Sequence, residues 1–391
     1  MKVLVVNCSA SGIKYELFDM EGEKTLARGH LERIGAAESL LRHEVTVAPG
    51  IDTHEQGMAR ILGALGAGPA GGTASLQDIR VVGHRVAHGG EEFTTATRID
   101  EQVKQVIRRY SDFAPLHNPY QLAGIEACER LLPGAVQVAV FDTAFPLSMP
   151  PDKYMYALPY ELYEKYRIRR YGFHGTSHSY VARRAAEMLG RPLEDLRLIT
   201  LHLGSAGASM AAVAGGRVVD TSMGLTPLAG LAMGTRSGDI DPAIVFFIME
   251  KLGLNVHEIS DYLNRRSGIL GLSGVSDDLN EVLLAAMAGN ERALLAVEVY
   301  GHRVRKEIGR YIAEMNGCDA LVFTSEMGEN PLVRELVCQN LDYFGILLDQ
   351  ERNKMRAPLL EVSAPGSSVR ILVIPTHEEL AIAREALRAA G

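Results

Sequence analysis

The chain has 391 residues, 47% of them apolar and 23% charged, and a net charge of −8 at neutral pH. That length exceeds what one hydrophobic core normally holds, so two domains are expected. The acidic balance argues against nucleic-acid binding by bulk attraction, and no apolar run is long enough to span a bilayer.

The N-terminal residues MKVLVVN read as a strand rather than a signal peptide. Apolar residues 3–7 run into the small-residue turn Cys8-Ser9-Ala10-Ser11-Gly12, and a second strand over 13–19 completes a hairpin. Residues 27–51 alternate weakly, as further strands would, and 53–65 have the spacing of a short amphipathic helix. The Gly/Ala/Pro-rich stretch 66–75 reads as a surface connector. A buried strand over 79–83 then leads into the loop His84-Arg85-Val86-Ala87-His88-Gly89-Gly90, whose composition suits binding.

Asn118 is the expected cap of the next helix, with Pro119 in its first turn. Strand 136–141 ends at Asp142, where α/β folds place chemistry, although a loop acid or helix cap fits that position equally well. In YGFHGTSH, His174 and His178 are four apart. Gly175 and Thr176 set His174 ahead of a helix over 179–189, so a zinc pair is not expected, and His178 also reads as a packing histidine.

Residues 198–221 repeat the opening pattern: strand 198–203, turn Gly204-Ser205-Ala206-Gly207, strand 208–213, Gly215-Gly216, and strand 217–221. Small residues let backbone N–H groups approach a phosphate closely. One such turn is commonly an ordinary hairpin. Two of them, at the starts of two halves, suggest a duplicated nucleotide-binding architecture. A loop carrying Arg236, Asp239 and Asp241 follows, and Asp241-Pro242 caps an apolar helix over 243–252. A long amphipathic helix over 290–316 precedes strand 320–323 and the loop Thr324 to Asn330, and Asn330-Pro331 starts another helix. Strand 369–374, the loop Pro375-Thr376-His377-Glu378-Glu379 and a helix to Ala390 close the chain. Strands alternate with helices, which gives an α/β fold with mixed sheets. The four scattered cysteines, Cys8, Cys128, Cys318 and Cys338, read as reduced thiols of a cytoplasmic protein. The pattern by itself supports a two-domain phosphoryl-handling enzyme.

Several collinear stretches together resemble the acetate kinase family, within the actin/Hsp70/sugar-kinase superfamily. They are VNCSASGIKYELFD, GHRVAHGGEEFTT, APLHNP, FDTAF, RRYGFHGTSHSYVA, HLGSAGAS, DTSMGLTPLAGLAMGTRSGDIDPAIV, SGILGLSGVS, GEN and IPTHEELAIA, and they cover nearly the whole chain. The resemblance implies a duplicated two-domain actin-like ATPase (ribonuclease H-like) fold with mixed sheets and a central cleft. Its domains would be 1–146 plus 380–391, and 147–379, the second binding nucleotide and dimerising. The implied reaction is reversible in-line transfer of the ATP γ-phosphoryl group to acetate or propionate, with Mg²⁺ or alternatively Mn²⁺, in a cytoplasmic homodimer without nucleic-acid or membrane partners.

By the same resemblance, Arg85 and Arg236 match the two active-site arginines that serve the carboxylate and the transferring phosphoryl group. His174 matches the histidine that stabilises the transition state, His117 a supporting histidine, and Asp142 the essential carboxylate. Asn7 and Glu378 match the Mg²⁺ ligands. Leu116, Phe173, Pro227 and Ala87 match the acyl pocket. Ala87 stands where acetate-preferring members commonly have valine, so propionate should be tolerated. One methylene in an apolar pocket is worth only ~1–3 kcal/mol. Lys14, His202, Leu203, Gly204, Ser205, Ala206, Asp278, Leu279, Asn280, Glu326, Met327, Gly328, Glu329 and Asn330 match the nucleotide side.

The departures lie on that nucleotide side. The family's Gly-Ser-Ser-Ser turn is here Ser9-Ala10-Ser11-Gly12, its Gly-Asn-Gly is Gly204-Ser205-Ala206, and its Asp-Phe-Arg is Asp278-Leu279-Asn280. Glu326 replaces a glycine and should repel phosphate unless it points away or meets a metal. Two further readings follow: a donor other than ATP, such as pyrophosphate, and a catalytically weak regulatory binding protein. Retention of Asn7, Arg85, Asp142, His174, Arg236 and Glu378 argues against the latter, and Gly328-Glu329-Asn330 favours ATP.

Overall fold

The apolar runs of the opening hairpin become the middle of a sheet because neighbours cover both of its faces. A computed structural model describes residues 1–36, 38–42, 46–66 and 76–391. Residues 67–75 of the expected connector, and 37 and 43–45 of the expected strand region, lie outside the described residues. The chain divides into two compact units, Met1–Phe145 with His377–Gly391, and Pro146–Thr376. The return to the first unit was expected at residue 380. It falls at His377, so Glu378 and Glu379 go with the first unit and the helix they begin.

In the first unit the strands are β1 (Lys2–Ser9), β2 (Gly12–Asp19), β3 (Lys24–Glu32), β4 (Glu38–Arg42), β5 (Thr46–Pro49), β6 (Ile79–Val86), β7 (Thr97–Arg98) and β8 (Val136–Phe141). Among the described residues they form one sheet in the order β5-β4-β3-β2-β1-β6-β8-β7. β1 pairs antiparallel with β2 and parallel with β6, and β6 pairs parallel with β8. Val3, Leu4, Val5 and Val6 are all buried, as expected of a strand covered on both faces. Leu4 and Val6 pack with Met58, Ile61, Ala127 and Cys128 from the helices His54–Gly66 and Asn118–Leu131. Val3, Val5 and Val138 pack with Leu380, Ile382, Ala383 and Ala386 of the C-terminal helix Glu378–Ala390.

Two local expectations change here. β6 runs three residues past Gly83, because Arg85 and Val86 still pair with Val140 and Phe141 of β8. Arg85 therefore projects from a strand end, not from a loose loop. Asn118 is not a helix cap. Its amide is fully buried and bonds the backbone of His88 and Ile107, while His117 occupies the cap position and its side chain does not cap the helix.

The second unit has β9 (Arg197–Leu203), β10 (Ala208–Ala214), β11 (Arg217–Thr221), β12 (Ala320–Thr324), β13 (Leu360–Glu361) and β14 (Arg370–Val373). Its order is β11-β10-β9-β12-β14-β13, with β9 antiparallel to β10 and parallel to β12. The run β3-β2-β1-β6-β8 of the first unit has the same pattern of antiparallel hairpin followed by parallel strands. The duplication suggested by the two hairpins thus extends to both sheets. Tyr300, Val304, Ile308 and Tyr311 of the helix Glu291–Met315 fill the core beside β9 and β10. Asp241 and Asn330 cap their helices as expected, accepting from Ala243 N and Leu332 N at 2.9 Å each. The helix Gly175–Leu189 begins four residues earlier than expected, because Thr176, Ser177 and His178 are buried in its first turn. No helix among the described residues is long and apolar enough to cross a membrane.

The C-terminal helix lies tight against β6. A Cβ on Gly83 would approach Ile382 Cγ2 to 2.9 Å and Ala386 Cβ to 3.0 Å. Gly83→Val is therefore expected to lower stability by about 1–3 kcal/mol, the usual cost of overpacking a core. Urea unfolding should show a lower midpoint, and hydrogen exchange should be faster in the C-terminal helix. An unchanged exchange pattern would contradict this packing.

Candidate functional site

In the first unit, polar side chains gather where the parallel strands end. The β1/β6 register sets Val6 opposite His84, which brings Asn7 level with Arg85, and Lys14 pairs across from Asn7 in β2. The β6/β8 register brings Arg85 beside Val140, just before Asp142. Arg85 donates to Asp142 Oδ2 from both Nε (3.0 Å) and Nη2 (2.6 Å), and its Nε lies 3.7 Å from Glu378 Oε2. Asp142 is 1% exposed, and its Oδ1 is buried with no hydrogen bond among the described residues.

Burial raises the pKa of Glu378 to about 7, Arg85 opposes the rise, and Asp142 and Glu379 add to it. Burial works against the charge on Arg85, and Asp142 and Glu378 more than restore it. Three carboxylates thus face one guanidinium, with Lys14 as a further positive charge acting on Glu378. The orphaned Asp142 oxygen and this negative excess fit a hard cation such as Mg²⁺, which takes oxygen ligands. Next to this cluster, His377 Nε2 sits 3.7 Å from Glu16 Oε2. That bond raises the pKa of His377, and the pair anchors the start of the C-terminal helix.

Ala87 is buried, and its N–H donates to Gln121 Oε1 at 2.9 Å. Leu116 is 38% exposed, an open apolar surface beside the cap residue His117. The neighbouring His84 and His88 are buried against other side chains of the unit. His84 bonds Gln137 at 2.8 Å, and burial lowers its pKa to about 4. His88 stacks on Tyr110 at 5.0 Å. Gly89 and Gly90 are required by the rings of Phe141 and Tyr110, which a Cβ would strike at 2.5 Å and 2.1 Å.

The second unit has its own cluster around the turn after β9. His174 precedes the helix Gly175–Leu189 in a left-handed conformation (φ 57°), a strained backbone for a residue with a side chain. Its Nδ1 lies 2.8 Å from Ser209 Oγ, and its ring stacks on His202 at 4.3 Å. His202 is held by Ser177 Oγ at 2.8 Å. A Cβ on Gly207 would lie 3.6 Å from both His174 Nε2 and Arg236 Nη1, so both groups meet at the turn Gly204 to Gly207. Arg236 donates to Pro227 O at 3.3 Å, and burial lowers its pKa from the ordinary value.

The donor-side departures also come together in this unit. Ser205 N donates to Glu326 Oε1 at 2.7 Å, so Glu326 points at the turn instead of away from it. Asn330 Nδ2 donates to Asn280 Oδ1 at 2.7 Å, which ties two of the altered stretches to each other. Asp278 accepts from Asn280 N, and Glu329 is exposed at the end of its loop. The side chains of Leu203, Leu279, Met327 and Phe173 are buried in the core, so Leu203, Leu279 and Met327 can offer a ligand little beyond backbone.

Sequence reasoning missed Ser209, Thr200 and Arg334. Each is a polar residue inside an apolar run, and that was the available signal. Arg334 is 1% exposed and holds the 328–330 loop by donating to Gly328 O, Asn353 O and Asn353 Oδ1.

Known proteins resemble this chain over nearly their whole length. An acetate kinase of Syntrophomonas wolfei subsp. wolfei is 55% identical over 98% of both chains. The crystal structure of Porphyromonas gingivalis acetate kinase superposes with a TM-score of 0.94 at 44% identity, covering 100% of both chains. That of a propionate kinase from Francisella tularensis superposes with a TM-score of 0.91 at 38% identity, covering 99% of both. The model of the acetokinase family matches residues 2–384, and the chain belongs to that family.

Proposed function

We propose that the chain is a short-chain acyl kinase, transferring the γ-phosphoryl group of ATP directly and reversibly to acetate or propionate. The observation that carries the reading is Arg85. It is a guanidinium fixed through two bonds to Asp142 at a strand end, two residues from the buried small side chain of Ala87. A carboxylate is already ionised at neutral pH, so its attack needs no strong base. The site must instead hold anions together and offset charge on the transferring group.

In the first unit, Arg85 takes the acceptor carboxylate, and Ala87 and Leu116 face its acyl chain. Asp142 fixes Arg85, and His117 plays a supporting part. Asn7 and Glu378 would hold Mg²⁺, which when bound offsets phosphate charge. In the second unit, Arg236 and His174 take the transferring phosphoryl group. The turn from His202 to Ala206, residues 278–280 and the 326–330 loop of the same unit contact the nucleotide.

A homodimer formed through the second unit belongs to the same reading. The helix Pro242–Leu252 buries none of its residues, and Phe246 is 72% and Phe247 61% exposed. Large exposed apolar side chains of this kind suit a second copy of the chain. The four thiols are free, in keeping with a cytoplasmic protein.

The test is to incubate the protein with acetate or propionate, Mg²⁺ and ATP, GTP or pyrophosphate, and to trap acyl phosphate with hydroxylamine. Product is expected with ATP, and with both acids. Product with pyrophosphate alone would overturn the donor, and none with any donor would overturn the enzyme. Arg236→Ala is expected to abolish product while the circular dichroism spectrum stays native, and near-normal activity would refute its role.

Glu326 occupies the Ser205 N–H that this reading gives to a donor phosphate. Glu326→Gly is expected to lower KM for ATP about tenfold, or ~1.4 kcal/mol, comparable to a hydrogen bond to a charged group. An unchanged KM would mean that the amide plays no part in donor binding.

A further inference from the structure

We propose that Thr200, His178 and Ser209 form a buried hydrogen-bond relay that keeps the proton of neutral His174 on Nδ1. His174 can then donate to a phosphoryl oxygen only as the doubly protonated imidazolium. The inference rests on the reading of His174 given above. None of the three relay residues is placed against the phosphoryl group, so they are positioning residues.

The relay starts on β9. The Thr200 hydroxyl donates to the carbonyl of Ala211, its partner on β10, at 3.3 Å. A hydroxyl has one hydrogen, so Thr200 Oγ1 must accept from His178 Nδ1, 2.8 Å away. His178 is fully buried. Burial, with His202 adding to it, lowers its pKa to about 3, so the ring is neutral and carries a single N–H. That leaves a lone pair on Nε2, which lies 2.8 Å from Ser209 Oγ. Ser209 spends its hydrogen there and must accept from His174 Nδ1, also at 2.8 Å. Thr200, His178 and Ser209 are each 0% exposed, so the order of donors is set inside the protein.

The opposite order fits worse at both ends. It takes the Thr200 hydrogen away from the Ala211 carbonyl. It also places a hydrogen on His174 Nε2, which, like Arg236 Nη1, lies 3.6 Å from the position a Cβ on Gly207 would take. With the guanidinium at the same turn, a lone pair on Nε2 is favoured over a second N–H donor. Among the described residues, the titratable or charged groups placed near His174 are His178 from its own helix, His202 from β9 and Arg236 from the loop before Gly238, and β10 contributes the Ser209 hydroxyl.

The chemical consequence is specific. Neutral His174 presents an acceptor to a phosphoryl oxygen that is itself an acceptor. Proton uptake at Nε2 turns it into a charged donor. Arg236 opposes that uptake, and an arriving anion favours it. Protonation of His174 is thereby tied to the arrival of the phosphoryl group.

The experiment uses the full chain with ¹⁵N-labelled histidine. Ring N–H correlation spectra would be recorded for the wild type, Thr200→Ser and Thr200→Val, with His174→Gln to assign the signals. The wild type and Thr200→Ser are expected to carry the His174 proton on Nδ1, whereas Thr200→Val should populate the Nε2 form. In wild type and Thr200→Ser, kcat for acyl phosphate formation should fall about tenfold per pH unit on the alkaline side, as for a single ionisation. That limb should flatten in Thr200→Val, with KM unchanged. A wild-type proton on Nε2, a Thr200→Val spectrum like the wild type, or an alkaline limb that ignores the tautomer would each overturn the proposal. The wild-type spectrum decides the tautomer even where Thr200→Val does not fold. Absence of acyl phosphate in the wild type would contradict the assigned reaction and leave the ring spectra readable.

Discussion

Arg85 and Asp142 meet where β6 and β8 end side by side, and both Arg85 donors fall on a single carboxylate oxygen. Burying such a pair costs desolvation, and replacing it by apolar residues often stabilises a protein. Its presence in a nearly buried position is therefore better understood as positioning than as stability. The pair fixes a positive charge at the strand ends and leaves the second Asp142 oxygen without a partner among the described residues. Glu378 joins because the C-terminal helix returns to pack on Gly83 of β6 and begins at this carboxylate. The distant end of the chain thus completes the charge balance of a site built by its first 142 residues.

The second unit meets the same requirement by other means. Its turn after β9 carries few side chains, and the groups around it are oriented from behind. His174 is held by Ser209, His202 by Ser177, and the 328–330 loop by the buried Arg334. Rigid support of this kind is what transfer between two anions demands, since misplacement of the reacting groups by an ångström is costly. Glu326 works against that economy, because its carboxylate already occupies a turn amide. On the proposed reading, a donor phosphate displaces Glu326 from that amide.

Much of this was legible in the residues. The two hairpins announced the duplication, and the proline-flanked caps at Asp241 and Asn330 marked their helices. Of the site residues that the family resemblance carried over onto the chain, Arg85 and His202 lie near strand ends and Leu279 and Glu378 open helices, whereas Pro227 and Arg236 lie in the long loop after β11. What stayed hidden depends on three-dimensional partners. Arg85 looked like a loop residue because the pairing that extends β6 comes from β8, more than fifty positions away. Asn118 looked like a cap because its bonds to His88 and Ile107 have no local signature. Gly89 and Gly90 looked like ligand-binding glycines, but aromatic rings from elsewhere in the unit require them. Thr200 and Ser209 looked like ordinary strand residues, since only the sheet brings both to His178.

The central claim is that the acceptor carboxylate itself attacks the phosphoryl group while fixed charges hold both in line. The most direct measurement is the stereochemical course at phosphorus, using ATP whose γ-phosphoryl group is made chiral with oxygen isotopes and acetate as acceptor. A single in-line displacement predicts inversion of configuration in the acyl phosphate. Retention would require a phosphorylated enzyme residue between two displacements and would contradict the account.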